Sequence, residues 1–223
     1  MLAIINFNAA LNQPVVARTG VGSLERRFEL PIELSGVTMA INGVACGLKK
    51  VSQHEITFVV PIGMASATAG TQYPFFVNNN GSIFRGMLTI VPARPDIFSI
   101  DNIGPGGRAD VKNVTNRVHT TEPFTVNTVK LRGGKRVPTV FRIRVTGVSN
   151  TSASVITLKI GSFVISPVLT GGVPVEPGVQ TIDFIVPPGL AGTGDQPVTI
   201  EVLAGDTIFS SRLADTAPRM FFL

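Results

Sequence analysis

The chain has 223 residues, 44% hydrophobic and 15% charged, with a formal net charge of +5. That balance provides core material for one large domain or two of about 100 residues, and it excludes disorder, which needs low hydrophobicity with high net charge. The single cysteine, Cys46, excludes an intrachain disulfide and a thiolate metal site, while the lack of Trp and the lone Tyr73 argue against faces that grip sugars or unpaired bases.

The N-terminal Met1-Leu-Ala-Ile-Ile-Asn-Phe-Asn8 has neither a basic leader nor a long apolar stretch, so no secretion signal is read there. Nowhere does an apolar run approach the ~20 residues of a membrane helix. Residues 1–28 read as an extended segment. Ala3 to Phe7 and Val15 to Ala17 are apolar enough to complete the first domain. The same residues could pair with a neighbour's sheet edge, which repeated head to tail would give a filament.

Beyond this segment alternation dominates. Val37 to Ile41, Ile56 to Val60, Phe141 to Val145, Val155 to Ile160 and Val198 to Val202 are β-branched and apolar at period two, bounded by Gly, Pro and Asn. Asn42-Gly43, Asn80-Gly81 and Gly205-Asp206 supply hairpin turns. Many short strands with turn signals between them predict an all-β chain of sandwiches rather than a parallel sheet with helices.

The most specific feature is an internal repeat. Ile56-Thr-Phe-Val-Val-Pro-Ile-Gly-Met-Ala65 returns as Ile182-Asp-Phe-Ile-Val-Pro-Pro-Gly-Leu-Ala191, identical at six of ten positions. Ile56, Phe58, Ile182 and Phe184 read as core positions on a strand. Pro61 and Pro187 end the ladder because they lack an N–H, and Gly63 and Gly189 permit the sharp turn that follows. A strand ending in Gly precedes each copy and a hairpin follows each, so the unit is a duplicated domain rather than a solenoid repeat of ~20–50 residues. The expected organisation is an N-terminal segment over 1–28 and a first immunoglobulin-like sandwich over 29–93. A Gly- and Arg-rich junction over 94–138 and a second sandwich over 139–223 follow.

Charge concentrates between Arg108 and Arg144. Arg108, Lys112, Arg117, Lys130, Arg132, Lys135, Arg136, Arg142 and Arg144 face only Asp110 and Glu122 over the same stretch, an excess of +7 in a chain of net +5. Arg142 and Arg144 alternate with Phe141, Ile143 and Val145 and so share one strand face. Such a stretch attracts acidic polymers or acidic protein surfaces, weakening with salt. It equally describes a solvated basic face. Nucleic acid is disfavoured, because neither interleaved aromatics nor a binding motif accompanies the charges.

Catalytic and metal chemistry finds no support in the residue pattern. His54 and His119 fall in different regions without ligand neighbours. Gly104-Pro-Gly-Gly107 lacks the strand-to-helix setting of a phosphate loop. Asp96, Asp101 and Asp110 could gather calcium only if they converge with further oxygens. Cys46 reads as a small buried apolar residue. The expectation is a non-enzymatic chain without cofactor.

The strings Leu30 to Ala45 and Val51 to Pro61 resemble a family of C-terminal domains first described from Solibacter and abundant in acidobacterial secreted and surface proteins. Arg94-Pro-Asp-Ile-Phe98 resembles that family's interdomain junction, Arg142 to Gly147 its second opening strand, and Ile182 to Pro187 its closing repeat. The resemblance covers roughly residues 28–212. The duplicated motif and the missing catalytic groups lead to the expectation of a structural or interaction protein associated with other protein subunits. The resemblance implies IPT/TIG-type immunoglobulin-like sandwiches, an extracytoplasmic setting and a C-terminal position in longer proteins. It implies no activity and no functional residues.

Overall fold

The computed structural model describes residues 1–7, 15–16, 30–64, 66–67, 69–100, 106–115, 119–126, 129–130, 134, 136–148 and 151–223; at 15–16 and 129–130 it describes the backbone alone. These residues form an all-β protein of several antiparallel sheets. The five alternating runs fall on strands, since side chains at period two put one set in a core and the other in solvent. By its contacts the chain divides into two compact units, Met1–Pro92 with Glu176–Gly178, and Ala93–Val175 with Val179–Leu223.

The first unit contains β1 (Leu2–Asn6), β2 (Val15–Val16), β3 (Glu33–Leu34), β4 (Val37–Ile41), β5 (Val44–Ala45), β6 (Gly47–Val51), β7 (Glu55–Val59), β8 (Thr71–Asn79) and β9 (Ser82–Ile90). One sheet runs β1-β7-β6-β2, and the other runs β3-β4-β8-β9 with β5 also on β4. Their inward residues merge in one core: Val37, Met39 and Ile41 from β4, Val77 from β8, Leu48 and Val51 from β6, Ile56 and Phe58 from β7. The arrangement is sandwich-like. As the apolar content of Ala3 to Phe7 and Val15 to Ala17 suggested, the N-terminal segment supplies strands to the first unit: β1 pairs along its whole length with β7, and β2 lies on β6.

The second unit contains β10 (Asp96–Ile97), β11 (Val111–Asn113), β12 (Val129–Lys130), β13 (Arg136–Val137), β14 (Val140–Thr146), β15 (Ile156–Ile160), β16 (Phe163–Ile165), β17 (Val173–Glu176), β18 (Val179–Ile185), β19 (Gly194–Ala204), β20 (Thr207–Ser210) and β21 (Arg219–Phe222). One sheet runs β10-β14-β18-β17 with β11 also on β14, and the other runs β16-β15-β19-β20 with β21 also on β19. Phe124, Phe141, Phe184 and Phe222 cluster in their core, Phe124 tilted against Phe141 with centroids 4.5 Å apart, Phe184 edge-on to Phe141, and Phe222 stacked on it. Burying each such ring is worth about 1.5–3 kcal/mol. The stretch 94–138, expected as a connection, is corrected here. Ile97, Ala109, Val111, Phe124 and Val126 are buried in this same core, so their apolar side chains make the stretch part of the unit.

The repeat seen in sequence is also a repeat of pairing. In the first unit Ile56 faces Ile5 and Phe58 faces Ala3; in the second Ile182 faces Ile143 and Phe184 faces Phe141. The motif strand therefore sits at matching registers, and β1-β7-β6 corresponds to β14-β18-β17 while β5-β4-β8-β9 corresponds to β16-β15-β19-β20. The corners after the two motifs differ. Gly63 takes a left-handed φ of +86°, the conformation expected for a sharp turn. Gly189 does not; it lies in a 3₁₀ turn, Pro188–Leu190, and a Cβ there would stand 2.7 Å from the Phe163 ring. The first glycine answers a backbone need and the second a close packing.

Candidate interaction surfaces

The basic residues singled out in sequence are best judged by their partners. On β14 the inward Phe141, Ile143 and Val145 fill the core, which turns Arg142 and Arg144 outward together. Neither is an isolated cation. Arg142 donates through Nε and Nη2 to the two carboxylate oxygens of Asp183, its direct cross-strand neighbour, at 2.7 and 2.8 Å. The hydrogen bond to Asp183 raises the Arg142 pKa above its ordinary value against the opposing effect of burial. Arg144 donates to Asp110 at 3.0 Å and lies over the Phe98 ring at 5.8 Å from its centroid, so the arginine is held by a carboxylate and a π-face at once.

Arg108 belongs to a tighter group. Its Nε and Nη2 grip both oxygens of Glu122 at 2.8 and 2.9 Å, while Nη1 donates to Asp195 at 2.6 Å. Arg219 donates to the other oxygen of Asp195 and, at 2.9 Å, to its backbone carbonyl. Glu122 also accepts the Phe221 N–H at 2.8 Å. Two guanidinium groups and two carboxylates thus close a neutral cluster. It joins residues 107–109, the end of the 119–124 stretch and the β19–β21 pair. Backbone bonds run alongside: the Ala109 N–H donates to the Arg219 carbonyl and the Phe124 N–H to that of Phe221, both at 2.9 Å. The hydrogen bonds to Glu122 raise the Arg108 pKa, burial opposes this, and Asp195 adds to the rise. For Asp195 burial pushes the carboxyl up, but hydrogen bonds from Arg108 and Arg219 prevail and hold it below the usual carboxylate range.

Of the other residues in the stretch, Lys112 and Arg136 are exposed on β11 and β13. Lys130 lies on β12, with its side chain outside the described residues. Arg117, Arg132 and Lys135 fall outside the described residues altogether. The pairing partners Asp183 and Asp195 escape a sequence reading because they lie 41 and 87 residues from Arg142 and Arg108. Asp96 accepts Arg212 at 3.0 Å and Asp110 accepts Arg144, while Asp101 lies outside the described residues. Among the described residues no group of three or more His, Cys, Asp or Glu side chains is placed to hold a metal ion. His54 sits in an exposed turn before β7. Cys46 is fully buried in the first core, and burial pushes its thiol up to about 11, with the Ile41 backbone opposing.

A second surface was not anticipated. On the outer face of the β8–β9 hairpin Phe76 and Arg85 are cross-strand partners, as are Pro74 and Met87. Phe76, Ile83 and Met87 are 40%, 48% and 58% exposed. With Asn42, Gly43 and Arg85 they line an open groove of about 720 Å³. The sequence signal was present in the apolar doublets Phe75-Phe76, Ile83-Phe84 and Met87-Leu88, which place an apolar residue on each face of a strand. No helix among the described residues is long and apolar enough to cross a membrane.

Compared with known proteins, the chain matches no protein-family model, and no curated protein matches it.

Proposed function

We propose that the chain is a non-catalytic structural and interaction module made of two tandem immunoglobulin-like sandwiches of the IPT/TIG kind. In this reading it works at a bacterial surface or as a subunit of an extracytoplasmic or membrane-associated assembly. The observation that carries it is the duplicated pairing: Ile56 on Ile5 and Ile182 on Ile143, each within the same order of strands. In the second unit β10-β14-β18-β17 and β16-β15-β19-β20 match the two-sheet order of an immunoglobulin sandwich, strands A-B-E-D facing C′-C-F-G. A chain that builds one scaffold twice presents edges and loops at fixed positions, which suits geometric rather than chemical work. The resemblance to the Solibacter-type domains supports the extracytoplasmic setting.

Two rival readings lose ground on specific observations. An acidic-polymer site built on Arg108, Arg142 or Arg144 would need those arginines unneutralised, yet each of the three meets a carboxylate. A filament built by donating the N-terminal strand would need that strand unengaged, yet β1 pairs with β7 of its own unit.

Isolation of the native particle from the source cells tests the proposal. The chain is expected in stoichiometric association with protein subunits, itself or another. Turnover by the pure chain on a broad hydrolase panel overturns the reading. Salt-sensitive binding to an anionic polymer, abolished by Arg132→Ser, Lys135→Ser and Arg136→Ser together, transfers the function to the basic stretch.

A further inference from the structure

Sheet edges are where a module of this kind can be extended, and in this chain most edges are blunted. β2, β3 and β5 have two residues each, β16 has three, β20 has four, and β17 has four including Pro174. Short strands and Pro remove the template that an unpaired edge offers to another chain. β1, with five residues, and β9 depart from this pattern, and β9 is the longer of the two. It is nine residues long, contains no proline, carries Arg85 as its sole charge, and pairs on one side only among the described residues. Its counterpart in the second unit, β20, is less than half that length.

The register fixes which backbone groups are on offer. Asn79 and Ser82 flank the two-residue Asn80-Gly81 turn and so form a hydrogen-bonded pair. Bonded pairs then alternate at Phe84, Gly86, Leu88 and Ile90, whose N–H and C=O groups point to β8. Ile83, Arg85, Met87 and Thr89 therefore direct theirs away from β8. The same four side chains lie exposed on the outer face.

We infer that this edge receives a second copy of the chain, β9 against β9, antiparallel about a two-fold axis through Gly86. The strand itself points to a second copy: over residues 83–89 side chains of like shape stand at equal distances from Gly86, a likeness that ends at Ser82 and Ile90. Arg85 and Met87 are long and unbranched, Phe84 and Leu88 large and apolar, Ile83 and Thr89 β-branched. A two-fold interface places residue i opposite j and j opposite i, so it demands such self-complementarity. In this register Arg85 faces Met87 of the other copy and lays its stem along the thioether, and Phe84 faces Leu88. Of the two hydrogen-bonded registers one step away, one puts Arg85 opposite Arg85, where like charges oppose pairing, and the other, centred on Met87, leaves Ile83 without a partner in β9 and so makes fewer bonds. Gly86 has no side chain at the axis; the Phe75 ring covers its position from the core side, at 2.6 Å from where a Cβ would stand. About eight new backbone hydrogen bonds close the joint, and two five-stranded sheets become one. This inference rests on the module reading and names its partner.

Sedimentation velocity of the purified full chain from about 1 μM to about 1 mM tests it, a range that brackets weak and moderate dimers. The expected result is a weight-average mass rising from 23.6 kDa towards twice that value, together with hydrogen-exchange protection of the Ile83, Arg85, Met87 and Thr89 amides that grows with concentration. Met87→Lys, which sets a lysine opposite Arg85, shifts the rise at least tenfold upward in concentration, and Ile208→Lys on β20 leaves it intact. Should Met87→Lys unfold the chain, Thr89→Lys and the wild-type exchange pattern carry the same comparison. A wild-type chain monomeric at 1 mM overturns the inference, as does a dimer indifferent to both β9 substitutions or one whose β9 amides gain no protection. A monomer that nonetheless co-purifies with another protein from its source cells overturns this inference alone and leaves the module reading in place.

Discussion

Arg142 and Asp183 are direct neighbours across β14 and β18, and the guanidinium grips both carboxylate oxygens. The pair sits on the solvent side of a sheet whose other side holds Phe141 and Phe184. Its orientation is thus imposed by the core rather than by the charges. The Arg142 side chain is about half exposed, 49%, so water screens the attraction. A double-mutant cycle with Arg142→Ala and Asp183→Ala should return a coupling of about 0.5–1 kcal/mol in chemical denaturation. Raising salt to about 1 M should shrink it. A coupling of zero at low salt would show that the grip is a by-product of register.

Asp195 answers differently, because two arginines share it. Its carboxyl pKa is held below the usual value by Arg108 and Arg219, despite burial pushing the other way. A group whose folded pKa is depressed adds stability above its unfolded pKa, near 3.9, and that contribution disappears as pH falls through the folded value. The wild-type melting temperature should therefore fall between about pH 4 and pH 2 by more than that of Asp195→Asn. At pH 7 the variant should lose about 1 kcal/mol, since the cluster is partly exposed, and the difference should close on acidification. Parallel curves across that range would remove Asp195 from the acid limb.

The strands were legible in the sequence because period-two alternation depends on each residue and its near neighbours only. The repeat was legible because Ile, Phe, Pro and Gly recur at fixed spacing. The pairing of charges was not. Arg142 and Arg144 could be placed on one face from alternation alone, but the Asp183 that neutralises Arg142 lies 41 residues away and is chosen by strand register. The stretch 94–138 misled for a related reason. Its Gly and Arg content suggested a connection, while Ala109, Val111 and Phe124 hide there as single apolar residues that acquire meaning only beside β14 and β21. Composition averages over a stretch, whereas burial acts on individual residues.

The two corner glycines offer a test of that distinction. Gly63 has φ +86°, and nothing lies within 4 Å of where a Cβ would stand, so Gly63→Ala should cost about 1–2 kcal/mol from backbone conformation alone. No neighbouring substitution should relieve it. Gly189→Ala meets the Phe163 ring instead, and overpacking of this sort costs about 1–3 kcal/mol. Phe163→Leu should recover part of the Gly189→Ala loss and none of the Gly63→Ala loss, measured by urea midpoints. Equal recovery at both sites would mean that the two corners obey one constraint after all.

Cys46 is the last group whose environment makes a sharp demand. It has no solvent exposure and packs with Met39, Leu48 and Ile56 in the first core. Burial pushes its thiol up to about 11, the Ile41 backbone pulling weakly against it. Since the thiolate is the reactive form, a disulfide reagent at pH 8 should label the native chain at least ~100-fold more slowly than the urea-unfolded chain. The same burial orders the substitutions. Cys46→Ala leaves a small cavity, about 1 kcal/mol. Cys46→Ser introduces a hydroxyl into an apolar site and should cost about 1–3 kcal/mol. Serine should therefore be the worse replacement, and a serine variant as stable as wild type would show that the Ile41 backbone, which already hydrogen-bonds the sulfur, satisfies the new hydroxyl in full.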